Sequence, residues 1–191
     1  MAIVNLKKMY FAELTKDEMG EAPVFGTPEY MPSIRQISAQ VNSIQDKLYA
    51  EGILWEQAES LEDIAISIDL ADLSNAQQAK YLGHNLAEEG GVYANEADTA
   101  PYIALLFVAE KSNGKAAYRV YYKGKLAEPN EGFKGKEGKT EFQTHQVTAT
   151  FQPLKSNGMW RYAIDEDDED CPTDIATTFF SSVIIPQKKI A

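Results

Sequence analysis

The sequence predicts a mainly β fold, an antiparallel sandwich or barrel with one α-helix packed on its flank, and three features predict it. Apolar and polar residues alternate with period two in several runs, as in Ile64, Ile66, Ile68 and Leu70 against Ala65, Ser67, Asp69 and Ala71. That is the signature of a half-buried strand. The tetrapeptide Lys-Ser-Asn-Gly occurs at 111–114 and again at 155–158, each time between strand-like runs. Asn and Gly both tolerate the positive φ of tight turns, so two hairpins of one design are expected. One stretch switches cleanly to helical period: Ser74 with Gln77 reads as a capping box, Ala76, Ala79 and Leu82 share a face, and Gly83 supplies the stop. A helix of about two and a half turns is not stable alone in water, so it must lie on a sheet.

In chain order, residues 8–15 form a plausible first strand, with Tyr10, Ala12 and Leu14 against Phe11 and Glu13. Residues 16–32 are polar, bear Gly and Pro, and read as an irregular connection. Ile37, Ala39 and Val41 mark a second strand. The segment 47–57 is apolar on both faces, with Tyr49, Ile53 and Trp55 on one side and Leu48, Ala50 and Leu54 on the other. It is either a central strand of a sandwich or an arm that buries one face against another chain. Gly52 within it and the polar flanks on either side favour an arm over 42–59.

Strand and helix at 63–83 come next, then an acidic, Gly-containing stretch with a short strand at Val92 and Tyr93. The apolar runs 102–109 and 116–125 flank the first Asn-Gly turn, and 140–151 and 159–164 flank the second. Residues 128–139, with Gly132, Gly135, Gly138 and several lysines, read as a flexible loop. Beyond six consecutive acids at 165–170, a short helix is expected to carry Ile175, Phe179 and Val183, although its β-branched residues weaken it. About eight strands in all form a single domain over 1–191.

Composition narrows function mainly by exclusion. A single cysteine, Cys171, permits no internal disulfide, and the longest apolar run is too short to cross a membrane, so a soluble chain is expected. The net charge of −11 argues against adhesion to DNA or an anionic membrane, since phosphate affinity comes from clustered Lys and Arg. His84 and His145 are the only histidines, and neither stands at metal-ligand spacing from a partner. The acid run lacks the alternating ligands and central Gly of a calcium loop. Cys171 follows those acids, which raise a thiol pKa and work against an activated nucleophile. Phosphate loops, nucleophile elbows and dinucleotide fingerprints are missing. The residues therefore point to a structural or binding role without catalytic residues, cofactor or metal.

The ordered set Leu48-Tyr-Ala50, Ile66-Ser-Ile-Asp-Leu-Ala-Asp-Leu73, Leu82-Gly-His84, Ala100-Pro-Tyr102, Lys111-Ser-Asn-Gly-Lys115, Tyr122-Lys-Gly-Lys125, Glu141-Phe-Gln-Thr144 and Asp165-Glu-Asp-Asp168 resembles the phi13-type major tail proteins, tail tube proteins of long-tailed bacteriophages. The resemblance runs from about Leu6 to Val183. It implies hexameric rings stacked into a hollow virion tail tube, which surrounds a tape measure protein, meets tail-tip and tail terminator proteins, and passes double-stranded DNA. Assembly would take place in the host cytoplasm. A phage-like bacteriocin or a secretion-system tube would use the same chain, and a monomeric β-sandwich binding module is the competing class. The segment 175–186 departs from the family, whose members carry a more helical, Trp-bearing stretch there.

On the tube reading, sheet edges that are a hazard in a monomer become assembly surfaces. Tyr102, Leu105, Phe107, Tyr118 and Tyr121 are the candidates for the inner barrel and inter-subunit strands, and Tyr49, Ile53 and Trp55 for the inter-ring interface. Six copies at −11 carry −66 formal charges per ring. Acids facing the lumen would repel phosphate over roughly a Debye length of 8 Å at physiological salt.

Overall fold

The structure is a computed structural model and describes residues 1–130, 132, 134–135 and 143–187. The predicted 128–139 loop and the start of the strand expected from Thr140 fall largely outside the described residues.

The fold is mainly β and antiparallel, as the alternating runs predict. Its strands are β1 (Ile3–Lys16), β2 (Val24–Phe25), β3 (Glu29–Met31), β4 (Ile34–Ala50), β5 (Ile53–Leu70), β6 (Asn85–Leu86), β7 (Val92–Tyr93), β8 (Ile103–Lys111), β9 (Ala116–Leu126), β10 (His145–Gln152) and β11 (Arg161–Asp165). Helix α1 (Asn75–Leu82) follows β5, and α2 (Ile175–Thr178) lies near the C-terminus. The main sheet runs β2-β1-β8-β9-β10-β5-β4, with β3 added to β1 and β11 to β9, while β6 and β7 form a separate pair.

This sheet folds over on itself around two apolar clusters. Ile64, Ile66, Ile68 and Leu70 of β5 and Val147, Ala149 and Phe151 of β10 face Met9 and Phe11 of β1, Leu105 of β8 and Tyr121 of β9. The opposite face of β1-β8-β9 carries Ala12, Leu106, Val120 and Tyr122, which pack with Ile175 and Phe179 from the C-terminal segment. The layers are therefore β10-β5-β4, then β1-β8-β9, then a C-terminal cover. Lying in the middle layer, β8 is buried along nearly its whole length.

Helix α1 closes the first cluster with Tyr81 and Leu82. Its predicted ends are present: the Ser74 side chain accepts from Gln77 N–H, the Gln77 side chain returns to the Ser74 backbone, and Gly83 is left-handed at φ 80°. A Cβ on Gly83 would also strike the Thr99 carbonyl. The buried face differs from the expected one, because Ala76 is exposed while Tyr81 and Leu82 are buried. Tyr81 is decisive, since its ring meets Phe11 edge-on at 5.1 Å and its hydroxyl donates to Glu29 Oε2 at 3.2 Å.

The two Lys-Ser-Asn-Gly turns share their chemistry but not their topology. In each, the Asn side chain accepts from the backbone N–H two residues on (Asn113 from Lys115, Asn157 from Met159), and the Gly has positive φ. The first turn joins the paired strands β8 and β9. Contrary to expectation, the second joins strands that do not pair with each other: β10 and β11 both pair with β9, at 123–126 and 117–121. A turn fixes a reversal of direction, whereas the neighbouring strands fix the partner.

Two further expectations change. The 16–32 connection contributes β2 and β3, short pieces that pair with β1. The C-terminal helix is a single turn, in which the hydroxyls of Thr177 and Thr178 bond back to the Asp174 carbonyl. Such side-chain bonding competes with helix propagation, so Phe179 and Val183 reach the core from an irregular segment.

Candidate assembly surface

Strands β4 and β5 pair continuously from Ile34–Leu70 to Ala50–Ile53. Only the base of this hairpin rests on the body, because β10 covers β5 at 64–70 alone. Beyond the Ser43–Leu61 pair, where Leu61 still packs against the first cluster, the hairpin has only its own two strands among the described residues, and the seven residues from there to Ala50 span about 23 Å at ~3.3 Å each. The tip is Glu51-Gly52, both at positive φ (52° and 77°), the conformation of a tight two-residue hairpin turn.

The segment 47–57 is therefore not one strand with Gly52 in its middle; Gly52 is the turn. Putting a turn there changes the faces. Tyr49 lies directly opposite Leu54, so those two share a face, while Ile53 and Trp55, two residues apart, share the other. The expected grouping of Tyr49 with Ile53 and Trp55 does not hold. All three candidates are bare: Tyr49 is 63% exposed, Ile53 69% and Trp55 74%. A lone two-stranded ribbon is marginal in water, and exposed clusters of large apolar side chains mark interaction surfaces.

The second set of candidates occupies different ground. Leu105, Tyr118 and Tyr121 are buried within the chain. Phe107 packs on the first cluster and lies parallel to Tyr121 at 6.4 Å, and Tyr102 is partly exposed below Lys123 and Lys125. Both edges of β8 are hydrogen-bonded inside the chain, to β1 and β9, and β9 is likewise paired on both sides. These strands lie in the core of the chain and are paired on both sides. Their apolarity reflects a middle layer flanked by two clusters. The longest strand with a free edge among the described residues is β4, of 17 residues, whose outer side pairs with no other strand there.

Of the six acids at 165–170, Asp165, Glu166 and Asp167 are folded onto the first Lys-Ser-Asn-Gly turn and the start of β9. Lys111 Nζ lies 2.5 Å from Asp165 and 2.9 Å from Asp167, and Arg119 is 2.6 Å from Asp165. Asn113 donates to Asp167 at 3.1 Å, and Glu166 accepts from the Tyr118 hydroxyl at 2.9 Å and from Ala116 N–H at 2.8 Å. The hydrogen bond from Lys111, then that from Asn113, hold the Asp167 carboxyl down at about 2. Burial alone would raise Asp165, but its bonds to Arg119 and Lys111 outweigh this and lower it. Cys171 is pushed up, first by burial and then by Glu166 and Asp168. Among the described residues no group of three or more His, Cys, Asp or Glu could hold a metal ion.

The second turn receives an acid too. Asp17 accepts from the backbone N–H groups of Lys155 and Ser156 at 3.0 Å each, and Lys123 Nζ reaches it at 2.5 Å. Both partners of this ion pair are almost wholly enclosed, at 3% and 5% side-chain exposure. Sequence reading missed this pair, because 106 residues separate its members. His84 closes on Glu128 at 3.0 Å and His145 sits at the start of β10, so the two histidines serve separate places.

No family model matches the chain, and no curated protein matches it.

Proposed function

We propose that this chain is a tail tube subunit of a long-tailed bacteriophage, forming hexameric rings that stack into a hollow tube around a tape measure protein and later conduct double-stranded DNA. The proposal starts from the sequence resemblance. The observation that carries it is the bare β4–β5 hairpin, whose tip displays Tyr49, Ile53, Leu54 and Trp55 to solvent about 23 Å beyond its base. A monomer gains nothing from such an arm, whereas a stacking subunit gains a set of aromatic anchors for the next ring. The outer side of β4, unpaired among the described residues, is the natural place for the sheet to continue into a neighbour within a ring.

Negative-stain electron microscopy across a concentration series tests this reading. Hollow tubes or six-fold rings are the expected images, with tail-tip proteins added where nucleation requires them. A protein that stays monomeric at high concentration with those proteins present overturns the reading and leaves a binding module.

A further inference from the structure

We infer that the two Lys-Ser-Asn-Gly turns age differently: Asn157 is a site of spontaneous deamidation in the folded chain, whereas Asn113, whose side-chain amide is held by the Asp167 carboxylate, is protected from it. The inference goes beyond the tube reading and does not depend on it. Each turn places Ser before the Asn and Gly after it, so the two sites start from the same local chemistry. Both Asn residues are exposed, and a Cβ on Gly114 or Gly158 would meet nothing within 4 Å, so the reacting groups have room at either site.

The reaction needs only water. The backbone nitrogen of the Gly loses its proton to base and attacks the side-chain carbonyl carbon of the preceding Asn, and the new C–N bond closes a succinimide ring. Negative charge gathers on Oδ1. It returns to carbon as the bond to Nδ2 breaks, and ammonia leaves with a proton from water. Water then opens the succinimide at either carbonyl, leaving Asp or isoaspartate, in which the main chain runs through the side-chain carbon. An amide and a water become an acid and an ammonia, with nothing oxidised or reduced.

The nucleophile is tied alike in both turns. Gly114 N–H donates to the Lys111 carbonyl and Gly158 N–H to the Leu154 carbonyl, each at 2.9 Å, so either turn must open before its nitrogen reacts. The developing oxyanion is better served at Asn157, where Met159 N–H donates to Oδ1 at 2.9 Å, against 3.2 Å from Lys115 N–H to Asn113. A donor aimed at that atom stabilises the charge that builds on it. The leaving nitrogen differs most. Asn113 Nδ2 donates to both oxygens of Asp167, at 3.1 and 3.2 Å, whereas Asn157 Nδ2 has no acceptor among the described residues. Opening the first turn therefore breaks charge-assisted bonds as well. The carboxylate also opposes negative charge on the neighbouring Oδ1, and the nearby cations Lys111 and Lys115 are drawn to Asp167 at 2.9 and 3.4 Å. Held down at about 2, Asp167 is ionised near neutrality and has no proton to give the departing ammonia.

The products differ as well. At 113 an acid in place of the amide would lose its bonds to Asp167 and face it as a like charge, so the clasp slows the reaction that would undo it. At 157 isoaspartate lengthens the main chain of the turn whose Lys155 and Ser156 N–H groups hold Asp17 against the buried Lys123. The change registers at the joint between β10 and β11.

Time courses of the folded chain in warm, mildly alkaline buffer test this, read by mass spectrometry of the chymotryptic peptides that carry each turn and by isoaspartyl methyltransferase labelling. Asn157 should convert about three- to tenfold faster than Asn113, the scale of a solvent-screened charge-assisted bond. In urea the two rates should converge. In Asp167→Ala, with folding checked by circular dichroism, the Asn113 rate should rise to that of Asn157. Equal rates in the folded chain, no conversion at Asn157, a difference that persists in urea, or an unchanged Asn113 rate in folded Asp167→Ala each overturns the inference. Should that variant not fold, the folded and urea-unfolded rates of the unsubstituted chain decide alone.

Discussion

Strand β5 is one element with two environments. Its base half, Ile64 to Leu70, puts Ile64, Ile66 and Ile68 at 0% exposure under β1 and β8, while its tip half exposes Ile53 and Trp55 to water. Both ends carry large apolar side chains and both pair with β4. The difference is the layer that covers one half and not the other. Backbone pairing therefore does not by itself bury a strand, and the apolar end without a covering layer stays open to water.

Breaking the covered half should cost most. The enclosed Asp17–Lys123 pair ties the loop after β1 to β9 and to the second turn. Asp17→Ala strands a buried ammonium and should lose about 3–5 kcal/mol in denaturant unfolding, whereas adding Lys123→Met should restore much of it. Ile66→Ala, which opens a cavity between β5 and the middle layer, should lose about 2–5 kcal/mol, while Ile53→Ala at the bare end of the same strand should stay within about 0.5 kcal/mol. Equal effects at positions 66 and 53 would end the comparison. Gly124→Ala comes next. The added methyl would lie 2.6 Å from ring carbons of Phe151, itself 0% exposed, so the ring cannot yield and about 1–3 kcal/mol is the expected loss.

The base half was legible in the sequence because one covered face imposes period two, and Ile64 to Leu70 show it without interruption. Helix α1 was legible through its caps, which are local chemistry. The tip was half legible: apolarity on both faces singled out Tyr49, Ile53 and Trp55, but Glu51 disguised the turn, since Glu-Gly is a weaker turn signal than Asn-Gly. The burial of the middle layer was not legible for a related reason. Burial on both faces of β8 and β9 yields the same unbroken apolarity as a subunit interface, and only the layer order distinguishes them. Long-range ion pairs such as Asp17–Lys123 leave no local pattern at all.

A smaller effect is expected where the acid run clasps the first turn. Asp165 and Asp167 have folded pKa values below the ordinary 3.8, so their stabilisation is fully present above that value and is lost as pH falls toward about 2. Acid unfolding should therefore begin below pH 4, and Asp167→Asn should flatten the stability profile between pH 4 and 2 while leaving the pH 6 to 8 plateau level. An unchanged acid limb in that variant would show that the clasp contributes nothing. Because Asp167 is a third exposed and screened by solvent, the shift in unfolding midpoint should be modest.

Smallest of all in stability, and most informative about the bare half, is Trp55→Ala. At 74% exposure the indole contributes little to the isolated fold, so unfolding should change by no more than about 0.5 kcal/mol. If the arm anchors the next ring, the same substitution removes an aromatic hot spot worth ~2 kcal/mol or more, about a thirtyfold loss per contact, repeated around every ring. Tubes should then be short or missing at concentrations where the unmodified protein forms long ones, while rings within one layer persist. Light scattering and electron microscopy of the folded variant read this directly. Normal tube growth by a stable Trp55→Ala protein would take the indole out of the interface and pass the anchor role to Tyr49 and Leu54 on the opposite face of the arm.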